Sequence, residues 1–413
     1  MNNPTTFRPF DPEKDAPAVH RIWYETHWIK NEEEARLMDD YLSGSRALVA
    51  EREGEAECLV LSAPGRFRYL NADLRLSAVT GVTTSRVARK QGFAKRLTAE
   101  LIAADAQGGA EISVLTMFEQ GYYDRLGYGT GGYEHQLHFD PTDLLITRKP
   151  RPPRRLSVAD ASAMHAALLA RKVWHGACTL LPESVVRAEL GWSENGFGLG
   201  YCDGQNGELT HFIWGAAKDD HGPYDIKFMA YQTYDQLLDL LALVKSFDDQ
   251  VCLVSLIEPP EVQVQDLLRN PFRSRMVTKK SAYEQNCRAT AYWQARILDL
   301  EACLAKTSLP GTPVRFNLAL TDPIAAVLEP DAPWCGVGGD YVVTLGSSST
   351  AEKGVATDLP TLKASVGAFT RLWLGVRPAS GLAVTDDLSG PTELLETLDE
   401  ALRLPPPNIG WDF

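Results

Sequence analysis

The sequence predicts a mixed α/β (α+β) protein built of several domains. Three observations carry that prediction. The chain has 413 residues, enough for more than one hydrophobic core. Strand-like alternation and helix-like periodicity take turns along it. A basic, proline-rich run, RKPRPPRRL from Arg148 to Leu156, interrupts it where neither a helix interior nor a central strand can continue. That run closes a first domain, residues 1–150. A softer boundary lies between Cys287 and Asp299, where CRATAYWQARILDL predicts the start of a new helical pattern. It separates a second domain, 151–290, from a third, 291–413. A proline run, Leu404 to Asn408, precedes a short tail, IGWDF.

The elements follow in order. ALVAEREGEAECLVLSAPG alternates and turns at EGE, which predicts a hairpin. LNADLRLSAVTGVTT continues as strand. In GFAKRLTAELIAADAQGG, Phe93, Leu97, Leu101 and Ala104 recur at helical spacing, and Gly108-Gly109 stops the helix. AEISVLTMF reads as a buried strand, and YEHQLHFD as the last strand of the first domain. The second domain carries a helix from Ala159, a strand in GPYDIKFMAYQT and a helix in TYDQLLDLLALVKSF. That helix opens with Thr233 and has Gln236 three residues on, a capping box. In the third domain PVRFNLALTD and YVVTLG predict strands, and ATDLPTLKASVGAFTRLWLG and ELLETLDEALRL predict helices.

Composition narrows the function. Hydrophobic residues make up 44% and charged residues 23%, as in an ordinary globular protein. A net charge of -13 argues against a nucleic-acid partner, whose binder carries a basic surface. It suits a cytoplasmic chain, and it favours a cationic small molecule over an anionic one. MNNPTTFRPFDPEKD has no apolar signal core, and no run is long enough for membrane insertion. The seven cysteines are scattered, odd in number and without a CxxC pair, so neither a disulfide framework nor a zinc site is expected. The histidines show no metal spacing. His135 and His138 fall on opposite faces of one strand, so no metal site is predicted.

The stretch with chemistry is VTTSRVARKQGFAKRL. It holds Arg89-Lys90-Gln91-Gly92-Phe93-Ala94, an R-x-x-G-x-A pattern between a predicted strand and a predicted helix. Backbone N–H groups at a helix start lack intrahelical partners and sit at the positive end of the dipole. A pyrophosphate is a natural guest there, with Gly92 and Ala94 leaving the backbone accessible and Arg89, Lys90 and Lys95 adding charge. A basic helix start with a chance glycine is the plainer alternative. Further on, GYYDRLGYG places Tyr122, Tyr123 and Tyr128 around a tight turn. Gly127 to Gly132 formally matches G-x-G-x-x-G, but a strand rather than a helix follows, so no dinucleotide site is expected.

Together these segments resemble the GNAT N-acetyltransferases, and more closely the enhanced-intracellular-survival (Eis) family. Leu115, Thr116, Glu119, Tyr123, Arg125, Gly127, Tyr128 and Gly129 stand in the family's L-T-x-x-E-x-x-x-Y-x-R-x-G-Y-G register. The resemblance covers the whole chain. It implies an active GNAT domain, a second GNAT-type domain without a cofactor site, and a sterol-carrier-protein-like third domain. It implies acetyl-CoA as co-substrate, contacted by Val82, Thr83, Thr84, Arg89 to Lys95 with Gln91 and Phe93 among them, Phe118 and Glu119. The oxyanion donor would be backbone N–H near Val82. Tyr123 would donate a proton to the departing thiolate. The α-carboxylate of Phe413, the last residue, would act as base, with Asp412 beside it. A bulky Phe118 departs from the small residue common at that place. The implied product is an N-acetylated primary amine on an aminoglycoside, a polyamine or a lysine side chain. The implied assembly is a homo-oligomer, trimer or homohexamer.

Glu25 and Trp28, with Trp23 and Tyr24, would form walls of the acceptor pocket; an amphipathic helix burying its aromatics accounts for them equally. Two other readings of the chain stay open: a lipid- or ligand-binding protein that works through its third domain, and an acyl-CoA sensor without turnover.

Overall fold

The computed structural model describes residues 5–270 and 278–411. The protein is mixed α/β, and its described residues form three sheets of eight, seven and five strands. They divide into two compact units. One comprises residues 5–132, 174–182 and 291–411; the other comprises 133–173 and the described part of 183–290.

Strand β1 (Thr6–Pro9) and helices α1 (Pro12–Glu25) and α2 (Glu32–Ser43) come first. Asp11 caps α1 by accepting from the Glu13 amide, and Asn31 caps α2 through that of Glu34. Short polar side chains thus stand in for missing backbone partners. β2 (Arg46–Arg52) and β3 (Glu55–Tyr69) form the predicted hairpin, with Glu53 and Gly54 at positive φ in its turn. β4 (Ala72–Thr84) returns along β3, α3 (Phe93–Gln107) follows as read, and β5 (Ile112–Thr116) and β6 (Gly129–Thr130) complete the segment. α3 buries Leu97, Leu101 and Ile102 completely, in a cluster that includes Tyr123 and Leu126. Each such side chain contributes about 1.5–3 kcal/mol.

The strand read in YEHQLHFD is β7 (Glu134–Phe139), but it does not close the first sheet. Alternation identifies a strand and one buried face; it carries no address for a partner. β8 (Arg154–Leu156) ends the proline run, and α4 (Ala161–Ala170) follows. β9 (Cys178–Leu180) pairs with β3 in the first unit. Then come α5 (Glu183–Gly191), β10 (Gly196–Tyr201), β11 (His211–Ala217), β12 (Tyr224–Ala230), α6 (Tyr234–Lys245), β13 (Val254–Ile257) and β14 (Asn286–Thr290). The second sheet runs β14-β7-β13-β12-β11-β10-β8. Thr233 caps α6 by accepting from the Gln236 amide, while the Gln236 side chain returns to the Gln232 amide.

The helix expected in CRATAYWQARILDL is two strands, β14 and then β15 (Trp293–Ile297). Every residue of β15 is buried; its apolar-polar alternation lasts only five residues, and the four-residue spacing of Trp293 and Ile297 imitates a helical period. β15 lies between β5 and β6, and the first sheet reads β1-β2-β3-β4-β5-β15-β6. After α7 (Leu300–Ala305) come β16 (Val314–Thr321), β17 (Gly339–Leu345), β18 (Thr350–Lys353) and β19 (Thr361–Ser365). The helix expected across 356–375 is therefore β19 followed by α8 (Val366–Trp373). Pro360 breaks the pattern, and Ser365 caps the helix through the Ala368 amide. α9 (Ala379–Thr385), β20 (Leu388–Ser389) and α10 (Thr392–Ala401) end the regular structure, with sheet order β18-β17-β16-β19-β20.

Candidate active site

The first sheet opens where its two parallel strands part. β4 and β5 pair from Leu76↔Ile112 to Val79↔Leu115 and no further. β4 runs on to Thr84 against β3 alone, after a register shift that leaves Thr80 as an extra residue opposite Leu61 and Ser62. A bulge of this kind bends the strand. Val82, Thr83 and Thr84 all lie on the diverging end. Trp23 Nε1 donates to the Thr83 hydroxyl at 3.2 Å, and the Thr84 hydroxyl meets the Cys58 thiol at 3.3 Å.

Residues 85–92 connect β4 to α3. Lys90 and Gly92 take positive φ, 62° and 82°. Gly92 is the N-cap of α3 and offers no side chain, and the first helical bond is Arg96 N–H to Gly92 C=O at 3.1 Å. The amides ahead of it are unclaimed by any side-chain cap, which is the arrangement that binds anions. Arg89, Lys90 and Gln91 are exposed. Arg89, Lys90 and Lys95 make no ion pair among the described residues. The Gln91 side-chain amide donates to the Val87 carbonyl at 3.0 Å. Phe93 is buried edge-on to Phe7, and Ala94 follows it on the helix. The residues present fit a phosphate-bearing cofactor.

Tyr123 starts a 3-10 turn, Tyr123–Leu126, that Gly127 closes at φ 81°. Its ring is 7% exposed and meets the Tyr122 and Tyr128 rings edge-on at 4.9 and 6.0 Å. Burial raises its pKa above the ordinary phenol value, so the proton stays on. Tyr128 is fully committed to the core, with its hydroxyl 2.7 Å from Ser113 Oγ. Among the described residues no hydrogen bond engages the Tyr123 hydroxyl. Two buried side chains of β15, Gln294 and Arg296, hold the turn from beside it. Sequence reading missed both, because the strand that carries them read as helix.

The other named residues are placed as follows. Glu25 accepts from the Arg86 amide at 2.8 Å and from Arg21 at 3.3 Å, and its own carbonyl accepts from the Arg86 guanidinium. Its carboxylate therefore anchors the start of the loop 85–92. Trp28 sits between Trp23, at 5.1 Å, and Phe118, at 6.1 Å. Phe118 is 88% exposed beyond the end of β5, and Glu119 beside it is exposed. These three rings run from Thr83 on β4 to the end of β5. The tail is docked through Trp411: Ile409 and Trp411 are buried, and the Ile409 carbonyl accepts from the Cys178 amide at 2.9 Å. Asp412 and Phe413 lie outside the described residues. Among the described residues no group of three or more His, Cys, Asp or Glu could hold a metal ion, and no helix is long and apolar enough to cross a membrane.

The parted strands, the uncapped helix and the buried tyrosine define a class. Residues 7–131 match the family described as acetyltransferase (GNAT) domain, so the chain carries an acetyltransferase domain. Along its full length it is similar to solved structures of the same fold. One is a protein of unknown function from Enterococcus faecalis V583, described as a probable N-acyltransferase, at 18% identity, TM-score 0.80 and 100% coverage of both chains. Another is a GCN5-related N-acetyltransferase from Kribbella flavida, at 18% identity, TM-score 0.74 and 99% coverage of each. A third is Eis1 from Mycobacterium abscessus, at 15% identity and TM-score 0.74, covering 99% of this chain and 100% of that one. The fold is Eis-like. No curated protein matches the sequence.

Proposed function

We propose that this acetyltransferase moves the acetyl group of acetyl-CoA to a primary amine of a cationic small molecule, such as an aminoglycoside or polyamine, or of lysine. The observation that carries the proposal is the grouping of an uncapped α3 start, with Arg89, Lys90 and Lys95 beside it, next to the gap between β4 and β5, with Tyr123 beyond the end of β5. The α3 amides with Arg89, Lys90 and Lys95 would hold the pyrophosphate. Backbone N–H on the diverging end of β4, near Val82, would face the carbonyl oxygen as it gains charge. The amine nitrogen forms the new bond to the carbonyl carbon, and the carbon–sulfur bond breaks. Tyr123 gives its proton to the departing thiolate, and the amine proton leaves to a base. For that base we propose the α-carboxylate of Phe413, with Asp412 near it.

Charge supports a cationic acceptor. The chain carries a net charge of -13. Trp28, Phe118 and Glu119 would border the acceptor. We read residues 151–290 as a GNAT-type domain without a cofactor site. There, residues 231–233 are all that separate β12 from α6, and the Thr233 side chain already caps the helix. Residues 291–413 we read as sterol-carrier-protein-like on their five-stranded sheet, and the assembly as a cytoplasmic homohexamer or trimer.

The test is release of CoA thiol with a panel of aminoglycosides, polyamines and lysine peptides, for the wild type, Tyr123→Phe and a chain lacking Phe413. Turnover of an amine that both variants lose supports the reading. Acetyl-CoA binding without turnover on any amine overturns it in favour of an acyl-CoA sensor.

A further inference from the structure

We infer that β15, from the far end of the chain, positions the catalytic turn, and that Gln294 and Arg296 are its positioning residues. The inference rests on Tyr123 as the acid. β15 pairs with β5 on one side and β6 on the other, so it lies directly along the strand that leads into the turn. Gln294 and Arg296 are two residues apart and therefore share one face of the strand. Both are 0% exposed.

Gln294 Nε2 donates to Asp124 Oδ1 at 2.7 Å and to Thr130 Oγ1 at 3.2 Å. Arg296 Nη1 donates to the Leu126 carbonyl, and Nη2 pairs with Asp322 at 2.7 Å. Asp124 and Leu126 are the second and fourth residues of the turn Tyr123–Leu126. The turn is one short 3-10 segment. It is closed by Gly127 N–H, which donates to the Asp124 and Tyr123 carbonyls, and by Tyr128 N–H to Tyr123 C=O at 3.3 Å. Short 3-10 turns have poor hydrogen-bond geometry and depend on their surroundings. The grip from Gln294 and Arg296 sets the pitch of the turn and thereby the direction of the Tyr123 hydroxyl.

Asp124 is exposed, so Asp124→Ala leaves the fold intact, and Asp124→Asn keeps an oxygen for Gln294. Gln294→Leu removes the donor at near-constant volume. With an amine that the wild type acetylates, Gln294→Leu and Asp124→Ala each lower kcat about tenfold, the loss of one charge-assisted, half-buried hydrogen bond. KM for acetyl-CoA and for the amine stays unchanged, Asp124→Asn stays near wild type, and the double variant is no worse than either single one. Amide hydrogen exchange across residues 122–130 gives a readout without turnover: it quickens in Gln294→Leu and Asp124→Ala and not in Asp124→Asn.

Unchanged kcat and unchanged exchange in both variants, with Tyr123→Phe inactive, overturn the positioning role and leave the acid in place. A rise in amine KM alone makes Asp124 an acceptor contact and overturns it too. Wild-type activity in Tyr123→Phe removes the acid itself, and the positioning role falls with it.

Discussion

The guanidinium of Arg296 and the carboxylate of Asp322 face each other at 2.7 Å with side chains 0% and 1% exposed. Asp322 also accepts from the Val337 amide at 2.9 Å and the Ile324 amide at 3.2 Å. The pair is thus enclosed and its carboxylate is saturated. Removing one partner leaves a buried charge without compensation, which costs about 3–5 kcal/mol. Asp322→Ala therefore lowers the urea midpoint severely, and the double variant Asp322→Ala with Arg296→Met recovers much of the loss. Equilibrium unfolding of the three proteins checks this.

Tyr123→Phe separates chemistry from packing. The ring stays where it is, so thermal stability changes little. A general acid contributes about 10²–10⁴-fold, so kcat falls within that range. Burial raises the pKa of this phenol, so wild-type kcat shows no alkaline limb from Tyr123 up to about pH 10. A pH–rate profile tests both statements.

The same burial makes a stability prediction. Tyr69, Tyr123 and Tyr128 all have pKa values raised chiefly by burial. Below about pH 10 the folded and unfolded chains both keep these protons, and the three phenols leave stability level. Above it the unfolded chain releases protons that the folded chain retains, so stability falls as pH rises. Urea midpoints of the wild type between pH 8 and about 11 show the onset. Tyr69→Phe, whose ring stacks on Trp373 at 4.1 Å, softens it.

The roles proposed for the α3 start and for Glu25 divide by which KM moves. Arg89→Ala and Lys90→Ala each raise KM for acetyl-CoA by about tenfold, the effect of one charge-assisted phosphate contact, and the effect shrinks in high salt. Glu25→Ala removes the acceptor of the Arg86 amide, loosens the loop and raises the same KM with kcat preserved. If Glu25→Ala instead raises KM for the amine alone, Glu25 is an acceptor contact and not an anchor. Steady-state kinetics with each substrate varied in turn distinguishes the two.

How much of this was legible in the sequence follows from the range of each interaction. The β2–β3 hairpin and α3 were readable because their signals are local: a Glu-Gly turn, a helical apolar period, a Gly-Gly stop. The place of Gly92 at a helix start was readable for the same reason, since strand, loop and helix start are neighbours in the chain. The burial of Tyr128 and of Trp411 also followed from residue type. β15 was not readable. Its alternation is only five residues long and is outweighed by the helix-like spacing of Trp293 and Ile297, and Gln294 and Arg296 have meaning only beside Asp124 and Leu126, each 170 residues away. The hold of Glu25 on the loop was not readable either, because its partner, the Arg86 amide, is a backbone group that no residue pattern encodes.

The place of β15 also sets a schedule for synthesis. While the ribosome is still adding residues after Thr116, β5 has an open edge where Trp293–Ile297 will later pair. At about 5–20 residues per second the missing strand arrives roughly 9–35 s later. Until then the nascent acetyltransferase sheet is incomplete, its turn lacks both clasps, and its apolar strand ISVLT is unguarded. A chain cut short before Trp293 therefore holds every residue of the R-x-x-G-x-A loop and the tyrosine turn, and still emerges as a sticky, inactive fragment rather than a minimal enzyme.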